Sequence, residues 1–200
     1  VTDRQTLDVY DARAGDYAKT LGADPATAPS LSAFVAALPD GARVLDLGCG
    51  PGIWAAAMAQ AGCRVDATDA SQAMVDLAAR QPGVTAWQAS FEDLDAEAQY
   101  DGIWANFSLL HASRDAMPGH LARIARALKP GGLLHIGLKE GQGAARDSLG
   151  RFYTYYTVEE VTPMLRDAGL TAGPARHGAD KGLDGAVAPW FTLTATKEGS

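Results

Sequence analysis

Cysteine is nearly absent. Cys49 and Cys63 are the only two in 200 residues, too few for a disulfide framework and without the spacing of a zinc site. A reducing, cytoplasmic setting and no bound metal are therefore expected. No apolar run reaches eighteen residues, and no charged stretch leads into an apolar one near the start. Neither a membrane span nor a signal peptide is expected. Positive charge is also scarce. Seventeen Lys and Arg against 24 Asp and Glu leave a net charge of −7, which opposes a phosphate backbone and weighs against a nucleic-acid partner. The chain begins at Val1 rather than methionine, so a few preceding residues are expected to be missing. No repeat and no low-complexity block is present. What is plentiful is apolar material, at 47% of residues, enough for one sizeable core and a single domain over residues 1–200.

The hydrophobic pattern alternates short apolar runs with helical periodicity. The segment from Asp3 to Leu21 carries Leu7, Tyr10, Ala14 and Tyr17 at helical spacing, interrupted at Gly15, and a loop from Gly22 follows it. A short helix follows from Leu31, with Ser30 as its expected cap. Strands are expected at RVLDL, CRVDATD, VTAWQ, YDGIWANF and LLHIGLK. Helices between them start near Pro51, after Ser71 and near Arg114, the last disturbed at Pro118–Gly119. A further helix capped by Thr157 and a β-rich tail from Ala186 complete the chain. Strands alternating with helices imply crossover connections, hence an α/β fold with a mostly parallel sheet covered on both faces. The stretch from Gly137 to Tyr156 reads as one long irregular insert, the kind of segment that often carries function.

The most informative stretch is VLDLGCGPGIW, Val44 to Trp54. A buried-type strand ends at Leu47, and Gly48, Gly50 and Gly52 follow at alternate positions. In open parallel sheets ligands bind outside the carboxyl ends of the strands. Glycines there allow positive φ and leave no side chain between backbone and ligand. The second strand ends in Asp69, 23 residues after Asp46, where an acid can take both hydroxyls of a ribose. A dinucleotide site wants G-x-G-x-x-G, but here the third glycine comes one residue early. Asp46 beside the loop would also oppose a pyrophosphate. It favours a cofactor with an amino group and a sulfonium, as in S-adenosylmethionine.

Asp46-Leu47-Gly48-Cys49-Gly50-Pro51-Gly52 resembles the cofactor loop of class I S-adenosylmethionine-dependent methyltransferases. The resemblance extends through Asp69, Ser90-Phe91, Tyr100 to Asn106, and Leu128-Lys129-Pro130-Gly131-Gly132. It implies a Rossmann-like three-layer sandwich with a seven-stranded, mostly parallel sheet whose antiparallel last strand, WFTLTATK, lies between the fifth and sixth. It also implies a helical cap over residues 1–40, a cofactor-binding core over 41–140, and a substrate side over 141–200. Asp46, Gly48, Cys49, Gly50 and Gly52 would hold the methionine part of the cofactor, Asp69 the ribose, and Ser90 and Phe91 the adenine, with Ala70 and Asn106 also in contact with the cofactor. Many members carry an aspartate near Ser90 for the adenine amino group; here the nearby choices are Ser90, Glu92 and Asp93. A finer resemblance, carried by Phe91 to Leu94, Ser108 to His111, Gly137 to Gly141 and Arg151 to Tyr153, is to small bacterial methyltransferases grouped loosely with tellurite-resistance methyltransferases. It establishes no substrate.

Other residues admit two readings each. Tyr10 and Tyr17 either pack the first helix on the core or, as in related methyltransferases, close over the reacting methyl group, with Arg13 between them. His111 follows the fourth strand and serves either as a base on the acceptor or as a structural histidine. Arg146, Arg151 and Tyr153 are expected to touch substrate, whereas Lys139-Glu140 is a surface pair or a rim contact. Trp54 and His135 are read as core, and His120 and His177 as surface. The expected partner is a small-molecule acceptor, because the fourth-strand segment Asn106-Phe107-Ser108-Leu109 lacks the proline motif of DNA base methylases. The expected assembly is a monomer or homodimer. Two alternatives stand beside this reading: an S-adenosylmethionine-binding protein without turnover, and an NAD(P)-dependent oxidoreductase.

Overall fold

The computed structural model describes residues 3–20 and 28–199, with Lys19 and Thr20 described by backbone alone. The loop expected from Gly22 lies mostly outside the described residues. Helix α1 (Arg4–Thr20) runs through Gly15 without a break, and α2 (Pro29–Ala36) follows. The core then alternates as the patterning predicts: β1 (Arg43–Leu47), α3 (Ile53–Gln60), β2 (Arg64–Asp69), α4 (Gln72–Ala78), β3 (Val84–Gln88), β4 (Tyr100–Asn106), α5 (Met117–Ala127) and β5 (Leu128–Lys139). A hairpin of β6 (Ala144–Arg146) and β7 (Phe152–Thr154) precedes α6 (Val158–Asp167). Three strands close the chain: β8 (Leu170–Ala172), β9 (Arg176–Lys181) and β10 (Val187–Lys197).

The main sheet has the order β3-β2-β1-β4-β5-β10-β8, with β9 paired to β10. Strands β1 to β5 pair in parallel, and β10 runs antiparallel to β5, β8 and β9. The antiparallel tail strand thus sits between the fifth strand and the one after the last helix, as the resemblance implies. Strand β9 adds an eighth member that the tail's composition did not announce. Because the chain moves outward from β1 through β2 on one side and through β4 on the other, the carboxyl end of β1 is the switch point of the sheet.

Alternate strand residues face opposite layers. Leu45, Leu47, Ile103, Ala105, Leu134 and Ile136 pack against Leu121 and Ile124 of α5 and Val161 and Leu165 of α6. Val44, Val65, Ala67 and Trp104 pack against Leu31 and Phe34 of α2 and Ala55 and Met58 of α3. The centre of this second layer is aromatic. Trp104 stacks on His135 with ring centroids 3.7 Å apart and an interplanar angle of 11°, and Phe34 meets Trp104 edge-on at 5.2 Å. His135 is buried in β5, as expected, and burial pulls its pKa down to about 3.

Several local expectations need correction. Ser30 does not cap α2. Pro29, with its fixed φ, already occupies the first helical turn, so the cap position falls on Ala28, whose side chain makes no cap bond. Pro118 does not disturb α5; it sits in that helix's first turn. β5 begins at Leu128, five residues before the expected start at Leu133, so the Pro130-Gly131-Gly132 turn lies inside its range. The insert after Lys139 is not irregular throughout, since it contains the β6–β7 hairpin. His120 is buried rather than on the surface, because it lies on the inward stripe of α5 with Met117, Leu121 and Ile124, against Phe91 at 5.4 Å. Ser71 and Thr157 cap α4 and α6 as predicted; Ser71 Oγ accepts from Met74 N, and Thr157 forms a reciprocal box with Glu160. Among the described residues no helix is long and apolar enough to cross a membrane.

Replacing the fully buried Trp104 by alanine should lower the unfolding free energy by about 3–5 kcal/mol, because the indole fills the space between α2, α3 and His135. Urea titration of the purified variant measures this; a loss under about 1 kcal/mol would mean that this layer repacks freely.

Candidate cofactor and acceptor site

At the end of β1 the backbone turns through three left-handed glycines, Gly48, Gly50 and Gly52, with φ of +75°, +52° and +78°. At Gly48 a Cβ would fall 2.4 Å from Ser108 Cβ, and the Ser108 hydroxyl donates to the Leu47 carbonyl at 2.6 Å. At Gly52 a Cβ would fall 2.8 Å from the Ala78 backbone. Strand β2 stitches the loop down. The Thr68 carbonyl accepts from Gly48 N and Cys49 N at 2.8 and 2.9 Å, and Asp69 Oδ2 accepts from Gly50 N at 2.9 Å. The other Asp69 oxygen accepts from Ser71 N at 2.9 Å.

Asp46 is 2% exposed, and its Oδ2 has no hydrogen-bond partner among the described residues. Burial, and then the negative charge of Asp69, push its pKa up to about 8. A cavity of about 360 Å³ opens beside it. Its floor is Asp46, Gly48, Cys49, Gly50, Asp69 and Ala70, and Phe91 and Asn106 flank it. Asn106 is oriented from behind, since its Oδ1 accepts from His135 Nε2 at 3.1 Å.

Helix α1 roofs this cavity with Tyr10 and Tyr17, whose rings meet edge-on at 5.5 Å. The helix is pinned by long-range contacts. The Ser71 hydroxyl donates to Asp11 at 2.5 Å, Phe152 N donates to the Thr6 hydroxyl at 2.8 Å, and Arg146 pairs with Asp3 at 2.8 Å. Beneath α1 lies His111. Its Nδ1 is 2.6 Å from the Phe152 carbonyl, an acceptor only, so Nδ1 carries the proton and Nε2 accepts from the Tyr10 hydroxyl at 2.8 Å. Burial pulls the His111 pKa down to about 4, so the ring is neutral near pH 7. Tyr10 in turn accepts from Arg151 Nη1 at 3.2 Å. Arg151 is buried and bound to Asp147 Oδ2 through Nε and Nη2, at 2.8 and 2.6 Å.

The structure therefore gathers at one cavity Asp46, Gly48, Cys49, Gly50, Asp69, Ala70, Phe91, Asn106, His111, Tyr10, Tyr17, Arg151 and Tyr153. Four expected residues lie elsewhere. Arg13 is exposed on the outer face of α1. Arg146 points to Asp3 and the Phe152 ring. Ser90 caps the short turn Phe91–Asp93 by bonding Asp93, and lines a separate cavity of about 200 Å³. Gly52 sets the start of α3 behind the loop. Sequence reasoning missed Ser108, Phe107 and Trp190, and it read Trp54 as core although it also lines the cavity. Phe107 had a latent signal in following the Asn106 strand end. It holds a left-handed φ of +56°, uncommon for a side chain of its size, and this aims it across the cavity toward Trp190. Lys139 proves to be a cavity residue, while Glu140 pairs with His177 outside.

A mostly parallel α/β sheet with a glycine-rich loop, a buried acid and a cavity at its switch point is the arrangement of proteins that bind nucleoside-type cofactors. Residues 44–132 match a family described as a methyltransferase domain. The chain is 39% identical over 98 residues to a cypemycin N-terminal methyltransferase of Streptomyces sp, an alignment covering 46% of this chain and 40% of that protein. It is 38% identical over 109 residues to a malonyl-[acyl-carrier protein] O-methyltransferase of Enterobacter lignolyticus, covering 52% and 43%. The matches thus span less than half the length of these curated relatives. The solved structure of the Burkholderia thailandensis 1,6-didemethyltoxoflavin-N1-methyltransferase, with 1,6-didemethyltoxoflavin and S-adenosylhomocysteine bound, superposes with a TM-score of 0.79 at 28% identity, covering 97% of this chain and 88% of that one. Together these matches support a class I S-adenosylmethionine-dependent methyltransferase, with its methyltransferase domain at residues 44–132.

Asp46 should leave a signature in stability against pH. An unfolded Asp46 ionises near its ordinary 3.8, the folded one only near 8. The unfolded chain therefore releases a proton that the folded chain keeps, so stability falls as pH rises across that interval and levels off above it. His111 acts oppositely, but only between about 4 and its ordinary 6.5. In urea titrations of the ligand-free protein, Asp46→Asn should gain on the wild type as pH rises from about 6.5 to about 8, and no further above. A constant difference between the two across that window would show that Asp46 does not titrate there.

Proposed function

We propose that the chain transfers a methyl group from S-adenosylmethionine to a small-molecule acceptor in the cytoplasm, by in-line displacement. The observation that carries this reading is the buried, unpartnered Asp46 Oδ2 at a cavity whose adjoining loop is glycine at Gly48, Gly50 and Gly52. An unpaired buried carboxyl oxygen is costly unless a cationic donor completes it. The amino group of the cofactor is such a donor, and a pyrophosphate is not, which disfavours a dinucleotide. The cavity volume also falls in the range of small-ligand sites.

In this reading Asp46 receives the ammonium group, and Gly48, Cys49 and Gly50 let the backbone approach the methionine part. Asp69 spends one lone pair of Oδ2 on Gly50 of the loop and one of Oδ1 on Ser71 N, and keeps the others for the ribose hydroxyls. Ala70 and Phe91 flank the adenine. Gly52 and Ser90 act indirectly, by shaping the loop and by holding the Phe91 turn. When bound, S-adenosylmethionine supplies a methyl group already activated on a sulfonium. The protein's task is then to align a nucleophile with it and exclude water. Tyr10, Tyr17, Arg151 and Tyr153 wall the acceptor. His111 keeps its proton on Nδ1, and its Nε2 fixes the Tyr10 hydroxyl. With its pKa near 4 it holds little driving force as a base, so an acceptor of low pKa suits this site better than an alcohol. No metal is given a role.

The test is proton release on binding. At about pH 6.5 the amino group of free S-adenosylmethionine is charged and Asp46 is mostly protonated, so pairing expels a proton. Calorimetric titration in buffers of differing ionisation enthalpy should find close to one proton released. Asp46→Asn should abolish the release and weaken binding by about 10- to 100-fold, the worth of a charged hydrogen bond. Binding without proton release and unchanged by Asp46→Asn would remove Asp46 from the cofactor site.

A further inference from the structure

Two cations rest on the face of Tyr153 inside the cavity, and they are not equivalent. The Arg151 guanidinium lies 5.3 Å from the ring centroid, but Asp147 takes two of its N–H groups and Tyr10 a third. Lys139, the last residue of β5, holds its Nζ 3.7 Å from the same centroid. Among the described residues that ammonium has no hydrogen-bond acceptor and no ion-pair partner. Asp184 and Asp147 act on it only from beyond contact, and Arg151 opposes them. Asp180 at the rim is engaged by Trp190 Nε1 at 2.8 Å, and the rim adds a further cation in Lys181. The carboxyls Asp46 and Asp69 belong to β1 and β2 beside the glycine loop, where Asp69 is tied to Gly50 and Ser71. Burial pulls the Lys139 pKa down, the sign of an ammonium lacking its counter-ion.

The surroundings describe the rest of the ligand. Tyr153 lies beneath the ammonium, and Phe107, Trp190 and Tyr10 add aromatic rings to the lining of the same cavity. Such walls suit a flat apolar body, while a desolvated cation suits one anionic group on it. A neutral His111 does not compete for the anion.

We propose that Lys139 is a specificity-determining residue that holds the carboxylate of a flat, aromatic acceptor. This rests on the methyl-transfer reading above and adds to it the chemical class of the acceptor.

The experiment compares benzoate with benzamide, matched in shape and different in charge, titrated calorimetrically into the protein saturated with S-adenosylhomocysteine. Benzoate should bind at least about 10-fold more tightly than benzamide, as expected for a charge-assisted contact. Lys139→Met should erase that preference, and Lys139→Arg, which keeps the charge, should retain most of it. Each variant is first titrated with S-adenosylhomocysteine, which reports both folding and the cofactor site. Should Lys139→Met not fold, the wild-type preference and its retention in Lys139→Arg decide. Equal affinities in the wild type, including no measurable binding of either probe, overturn the proposal, as does a preference that survives in a folded Lys139→Met. Those results with S-adenosylhomocysteine bound leave the cofactor reading intact. Failure of the wild type to bind S-adenosylhomocysteine removes both.

Discussion

The approach of Ser108 to Gly48 decides the geometry of the site. The end of β4 comes so close to the end of β1 that no side chain fits between them, and the Ser108 hydroxyl bonds the last carbonyl of β1. The loop must therefore leave the sheet through left-handed backbone, with its amides bound to Thr68 and Asp69 of the neighbouring strand. Once the loop takes that path, Asp46 is sealed beneath it with one oxygen unpartnered, and a cavity is left where side chains would otherwise have been. Substitution at Gly48 would meet both a steric and a backbone penalty.

The opposite wall is built by contacts far apart in the chain. Helix α1 is joined to the β6–β7 hairpin by Arg146–Asp3 and Thr6–Phe152, and to His111 by Tyr10. The Arg151–Asp147 pair is buried, and a buried pair is costly to assemble unless its remaining donors are also satisfied. Tyr10 and the backbone amides of Leu149 and Arg151 supply that satisfaction. The result is a cavity with acid on the loop side and an open cation on the other. Transfer from a sulfonium to an anionic nucleophile cancels charge, and a low-dielectric cavity that excludes water favours such a step.

Much of this was legible in the sequence, because local rules apply at the loop and along the strands. The glycines at alternate positions, the acid ending β2 and the apolar alternation of β1 to β5 each have a single cheap structural solution. Arg13 and Arg146 were misjudged because spacing along an element says that residues share a segment, not that they face one cavity. Arg146 is drawn outward by Asp3, 143 positions earlier. The hairpin within the insert escaped notice although Asp147-Ser148-Leu149-Gly150 carries turn residues, because its two strands are only three residues long each. His120 was misplaced by treating histidine as polar when its helical register put it on the buried stripe. Lys139 stays open in the sequence between a surface pair and a rim contact, because only the tertiary fold brings the Tyr153 ring beneath it.

The most direct measurement is equilibrium binding of S-adenosylmethionine and S-adenosylhomocysteine against NADH, by calorimetry, to the wild type and to Asp69→Ala. The structure predicts binding of both sulfur compounds at micromolar concentrations, weakened by at least about 10-fold in Asp69→Ala, and none of NADH. A folded protein that binds neither sulfur compound, or prefers NADH, would contradict the assignment of the glycine loop and of everything arranged around it.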